Sequence, residues 1–127
     1  MNQESLSVVK VREVLLVTLP AEPDDFTVSA LQERVLTAME RFQAKGVALD
    51  ISAVQTLDSY FARTVAETAQ MIGIMGGRTI VVGMRPEVAI TTTQMGLALG
   101  NIETALTVDR ALDRLMDQAP AARRSSP

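Results

Sequence analysis

Asp58 and Ser59 are the residues of this chain best placed to do chemistry. A short apolar run, Val47-Ala48-Leu49, ends at Asp50, and after a brief loop Asp58-Ser59-Tyr60-Phe61 opens a stretch with helical periodicity. That order makes Asp58 the helix cap and sets the Ser59 hydroxyl at a helix N-terminus, outside the carboxyl end of a strand. Open α/β sheets bind ligands at that end, and helix N-termini favour anions. A serine held there reads as a phosphate acceptor. A phosphoryl group would meet the positive end of the helix, worth about 0.3–1 kcal/mol at an exposed site, while the like charge of Asp58 would oppose it. The modified state is therefore tolerated without being locked, as a reversible switch requires. The same pair also serves as a plain capping dipeptide, because Asp and Ser dominate such positions in general.

Three further groups are open to a chemical reading. Thr91-Thr92-Thr93 follow Pro86 in a short helical stretch, although β-branched residues in a row are poor helix formers. Helical spacing groups Val88, Thr92 and Met95 on one face and Glu87, Thr91 and Gln94 on another, so Thr91 is expected to be the most exposed of the three; satisfied hydroxyls on a surface helix account for them equally well. Asp50, at the end of a buried strand, invites comparison with the phospho-acceptor of receiver domains. That chemistry needs acidic metal ligands after the first strand and a lysine after the last. Here Pro20-Ala21 follow Leu19, Asp24-Asp25 come late, and there is no Lys beyond Lys45. Gly73, Gly76 and Gly77 mark a turn and not a phosphate loop, since no Lys-Ser/Thr follows. Met71, Met75, Met84 and Met95 read as packing.

Composition removes other classes. The 127 residues include no Cys and no His, so disulfides, thiolate nucleophiles, histidine ligands and histidine bases are absent, and no Ser-His-Asp or Cys-His set exists. No metal or cofactor is called for. The formal net charge is −3, and two of the twelve basic residues lie in a C-terminal stretch without acids, so the body is more acidic still. This argues against a nucleic-acid surface. No apolar run approaches the ~20 residues of a membrane span and no signal peptide is visible, so the expectation is a cytoplasmic protein without a membrane partner.

The elements that must position Ser59 follow from periodicity. Leu6–Val11 and Val14–Leu19 read as strands joined through Arg12-Glu13 in a tight antiparallel hairpin. Pro20 and Pro23 end the second. A helix starts near Asp24 or Asp25, with apolar positions Val28, Leu31, Val35, Met39 and Phe42 spaced three or four apart, and is closed by Lys45 and Gly46. Val47–Ile51 is a strand covered on both faces. The helix capped by Asp58 points Phe61, Val65, Ala69 and Ile72 inward. Thr79–Gly83 is another buried strand. Pro86 starts a helix over Glu87–Met95 that stops at Gly96; Ile102–Leu106 is a short edge strand, and Asp109 caps a last helix holding Ala111, Leu112, Leu115 and Met116. The prediction is one α/β domain over residues 1–118, with a mixed sheet of four to five strands opened by a hairpin and about four helices packed on it. Residues 119–127 read as a disordered tail.

Two stretches resemble the STAS family, the fold of sulfate-transporter domains and anti-anti-sigma factors, in its RsbS-type stressosome branch. They are Gly46-Val47-Ala48-Leu49-Asp50-Ile51 through Asp58-Ser59-Tyr60-Phe61-Ala62-Arg63, and Gly83-Met84-Arg85-Pro86-Glu87-Val88-Ala89-Ile90-Thr91. Met95–Leu99 and Ile102–Leu106 are also similar, and the resemblance runs from about Leu6 to Leu115. Simple anti-anti-sigma factors usually carry Gly after the Asp-Ser pair, so bulky Tyr60 favours the stressosome branch. With no sensor domain ahead of the fold, the small antagonist is the expected type.

The resemblance implies a non-catalytic scaffold that co-assembles with RsbR-type sensor co-antagonists into a large shell. The shell captures an RsbT-type switch kinase of the GHKL class. Phosphorylation of the serine matching Ser59 releases the kinase, and a phosphatase resets it. Thr91 matches a threonine phosphorylated in the sensor co-antagonists and is a second, weaker candidate. Asp58, Ser59, Tyr60, Arg85 and Glu87 form the implied partner-binding set. Two alternatives remain: a simple anti-anti-sigma factor that binds an anti-sigma kinase directly, and a small enzyme or ligand-binding α/β module.

Overall fold

The computed structural model describes residues 6–94 and 102–117. Strands β1 (Ser7–Val11), β2 (Val14–Thr18), β3 (Gly46–Asp50), β4 (Arg78–Val82) and β5 (Glu103–Ala105) form one sheet in the order β1-β2-β3-β4-β5. Helices α1 (Asp25–Phe42), α2 (Ser59–Ile74), α3 (Pro86–Gln94) and α4 (Val108–Met116) complete the chain. β1 and β2 are antiparallel, and each later pair is parallel. The expected α/β architecture is observed, with five strands and four helices among the described residues. The hairpin closes through Arg12-Glu13, with Arg12 at φ 55°, so that Val11 pairs with Val14. A positive φ at the first loop residue belongs to the hairpin turns whose twist matches the flanking strands.

The sheet separates two cores. Alternation along a strand sends neighbouring side chains to opposite faces. Leu15, Val17, Val47, Leu49 and Val81 join Leu31 and Val35 of α1, Phe61, Val65 and Ile72 of α2 and Val88 of α3 on one face. Val14, Ala48, Ile80 and Val82 meet Ala111 and Leu115 of α4 on the other. Each fully buried Val, Leu or Phe stabilises the fold by about 1.5–3 kcal/mol. Small residues let α4 lie close. A Cβ added to Gly46 would stand 2.7 Å from the Arg78 carbonyl oxygen and 2.8 Å from a Leu115 methyl. The β5 edge is fastened to its neighbours by Glu103. It receives Arg78 Nε at 2.9 Å and Arg114 Nη2 at 2.9 Å, while Arg114 also donates to the Thr104 carbonyl. The hydrogen bond from Arg78 holds the Glu103 carboxyl below its usual range.

Several local expectations are corrected. α1 ends at Gln43, which takes the left-handed φ of 53°, and not at Gly46, which is buried within β3. A non-Gly residue thus takes the αL stop at an exposed helix end. α4 is capped by Thr107, whose side chain accepts from Arg110 N, and Asp109 lies in the first turn, two residues after the cap. In α2 the inward stripe includes Thr64 and Thr68, while Ala69 is half-buried. Thr68 Oγ1 donates to the Thr64 carbonyl at 2.7 Å and accepts Gln32 Nε2 of α1 at 3.2 Å, so these hydroxyls are satisfied in the α1–α2 seam. The readings for Met95–Gly96 and for the tail at 119–127 fall outside the described residues.

Candidate functional site

The site is built where the sheet's carboxyl ends feed α1, α2 and α3. Asp58 takes extended backbone angles and its Oδ1 accepts the Phe61 amide at 2.8 Å, which makes it the α2 cap as expected. Ser59 is the first residue of the helix. Phe61 and Ala62 are buried and fix the rotation of the first turn, which leaves Ser59 exposed. Its hydroxyl has no hydrogen-bond partner among the described residues, so the capping work falls to Asp58 alone. Tyr60 is 39 % exposed beside it. The neighbouring helix repeats the device. Asp24 Oδ1 accepts the Thr27 amide at 2.8 Å, and this bond holds the Asp24 carboxyl below its usual range. With exposed Glu22, Asp25 and Asp58, this end of the molecule is acidic.

The loop from β3 to α2 is tied down along its length. Ile51 N donates to the Val82 carbonyl at 3.0 Å, Val54 N to the Ile51 carbonyl at 2.9 Å, and Gln55 N to the Ala21 carbonyl at 3.0 Å. Val54 and Leu57 are buried and pin the same segment from below. Asp50 has a structural task here: its Oδ1 accepts the Ser52 amide at 2.9 Å. No group of three or more acidic residues that could hold a metal occurs among the described residues. The receiver-type reading of Asp50 therefore finds no support in its surroundings.

Arg85 and Glu87 sit in the strand-to-helix connection that follows β4. Arg85 Nε donates to the Ser52 carbonyl at 3.3 Å, so Arg85 is brought to the loop that leads to Ser59. Glu87 is exposed in the first turn of α3, and its carbonyl accepts Thr91 Oγ1 at 2.9 Å. Thr92 and Thr93 bond the carbonyls of Val88 and Ala89 in the same way. The expected exposure order is corrected: Thr93 is exposed, Thr91 half-buried and Thr92 buried. Thr91 and Thr93 stand about 100° on either side of Thr92. Spacing leaves both eligible for solvent, and packing turns Thr93 outward.

Sequence reasoning missed Ser52 and the role of Gly83. Gly83 has φ 74°, and a Cβ there would stand 2.6 Å from the Ser52 Cβ. The sole signal in the sequence was a glycine at the end of a buried strand, which marks a close backbone approach as often as a turn.

Comparison with known proteins agrees with this geometry. The STAS domain family model matches residues 5–111. A solved serine-to-glutamate variant of RsbS from Moorella thermoacetica is 30% identical with a TM-score of 0.81, covering 91% of this chain and 97% of that one. A chain from a structure described as the molecular architecture of the stressosome, a signal integration and transduction hub, is 32% identical with a TM-score of 0.78, covering 89% and 98%. Among curated proteins, the RsbT co-antagonist RsbRD of Bacillus subtilis (strain 168) is 29% identical over 97 residues, 76% of this chain and 35% of its own length. The chain thus spans about a third of the length of these co-antagonist relatives, RsbRA at 32% and RsbRB at 37% of theirs. The match to the family model over most of its length, on a fold shared with solved stressosome chains, places this chain in the STAS domain family.

Proposed function

We propose that this STAS domain is a non-catalytic stressosome scaffold and phosphorylatable antagonist. It co-assembles with RsbR-type co-antagonists, sequesters an RsbT-type switch kinase, and releases that kinase when Ser59 is phosphorylated. A phosphatase then resets Ser59. Thr91 is the second candidate for modification; its half-buried, back-bonded hydroxyl makes it the slower one. Asp58, Ser59, Tyr60 and Glu87 form the kinase-facing surface, and Arg85 stands behind it at the loop that leads to Ser59. The observation that carries this reading is the Ser59 hydroxyl, which is exposed on the first turn of α2 and relieved of capping by Asp58.

Release has a physical cause. Phosphate adds about 1.5 to 2 negative charges at pH 7, on an end of the molecule already acidic. Burying that charge in the kinase interface without a cation is costly, so the complex weakens. Site-resolved mass spectrometry after incubation with a GHKL switch kinase from the same genome and ATP tests the reading. Phosphate at Ser59, absent in Ser59→Ala, is expected; an unmodified Ser59 refutes the switch. Ser59→Asp should bind the kinase at least about tenfold more weakly than Ser59→Ala, about 1.4 kcal/mol, and equal affinities would sink the charge account. Size-exclusion chromatography with a sensor-bearing relative should give shell-sized particles. Small complexes alone would favour the direct anti-anti-sigma role.

A further inference from the structure

We propose that Arg85 is a positioning residue that braces the loop carrying Ser59, and not a direct contact for the partner. The inference rests on Ser59 being the phospho-acceptor. Ser52 opens the loop between β3 and α2 and is exposed, so packing does not hold it. Three groups from two connections hold it instead. Asp50 Oδ1 takes its amide at 2.9 Å, Arg85 Nε supplies its carbonyl at 3.3 Å, and the bare Cα of Gly83 admits its Cβ. Beyond Ser52 the chain is anchored by buried Val54 and Leu57 and by the Gln55–Ala21 bond, and it then enters the Asp58 cap.

Arg85 immediately precedes Pro86, the first residue of α3. The brace therefore joins the start of the helix bearing Thr91 to the loop that presents Ser59. Both act on backbone atoms, so the Ser52 side chain is not itself the anchor.

Arg85→Gln and Arg85→Met separate the brace from a charge contact. Gln carries an N–H donor at the same bond distance along the side chain as Arg Nε, but no charge. Met has similar length and neither donor nor charge. Hydrogen exchange of the 51–58 segment is measured for both variants, alongside kcat and KM for Ser59 phosphorylation by the switch kinase. In Arg85→Met, exchange in 51–58 should rise about threefold to tenfold, the range expected for one lost hydrogen bond. The kcat/KM for Ser59 should fall by at most that factor, because only the braced fraction presents the hydroxyl correctly. In Arg85→Gln both should stay within about twofold of the parent protein.

Equal losses of phosphorylation in both variants, with unchanged exchange, would overturn the brace and make Arg85 a partner contact. Exchange that rises equally in the β4 and α1 amides would overturn it as well, since the effect would then be general destabilisation. If the kinase leaves the parent Ser59 unmodified, the phospho-acceptor reading fails. The exchange comparison between Met and Gln then decides the brace by itself.

Discussion

Gly83→Ala tests how tightly the Ser59 loop is seated, and its cost can be worked from two separable contributions. Gly83 sits at φ 74°, where a Cβ costs about 1–2 kcal/mol. The same Cβ would stand 2.6 Å from Ser52 Cβ and 3.1 Å from Ser52 Cα, and overpacking of that kind costs about 1–3 kcal/mol. Replacing Gly by Ala also stiffens the unfolded chain, which offsets about 0.4–1 kcal/mol. The net expectation is a loss of about 1–5 kcal/mol, centred near ~3, with close to ~4 °C in Tm for each kcal/mol in a domain of this size. Gly76→Ala is the internal control. Gly76 has φ 93° and nothing within 4 Å of an added Cβ, so it reports the backbone cost alone, about 1 kcal/mol. Urea unfolding of the two variants, with Ser52→Gly and the Gly83→Ala/Ser52→Gly double variant, completes a cycle. The pair should couple by about 1 kcal/mol or more, because Ser52→Gly removes the nearest clashing atom. If Gly83→Ala costs no more than Gly76→Ala, or the cycle shows no coupling, the close seat of Ser52 on Gly83 is not a constraint and the reasoning fails.

Two further perturbations separate the cap from the switch and the latch from the core. Asp58→Ala should destabilise the domain by about 1 kcal/mol through loss of the Phe61 amide's partner, whereas Ser59→Ala should stay within about 0.5 kcal/mol of the parent by chemical denaturation; the reverse order would mean that Ser59 is the structural residue. The Glu103 carboxyl is held low by the hydrogen bond and charge of Arg78 and, after those, by Arg114. A carboxyl with a lowered folded-state pKa binds its proton more readily when unfolded, so its contribution is complete above the ordinary carboxylate range and is lost as pH falls through the folded value. Thermal unfolding between pH 6 and pH 3 should therefore show a shallower acid-side decline in Glu103→Gln than in the parent. A parallel decline in both would remove Glu103 from the latch.

Much of the site was legible in the chain itself because it is local. The Asp58 cap, the inward Phe61 and the outward Ser59 follow from helical period and capping chemistry within one turn, and the structure reproduces each. The order of elements and the hairpin at Arg12-Glu13 were equally local, since apolar alternation, Pro and Gly mark them. Errors arose where two local rules competed. Lys45-Gly46 looked like a helix stop, yet the close approach of Leu115 and the Arg78 carbonyl requires a residue without a side chain inside β3. Thr91 and Thr93 flank Thr92 symmetrically, and only packing against the core chose between them.

The amino-acid sequence by itself determined the α/β class, the absence of thiol and imidazole chemistry, and the presentation of one serine at one helix start. Each depends on residue identity and on spacing within a few positions. Tertiary structure alone decided that Ser52 would rest on Gly83 and that Arg85 would reach its carbonyl. These contacts join connections that are separated by a whole helix and a strand. Parallel crossovers bring them together, and no periodicity within either segment records that meeting.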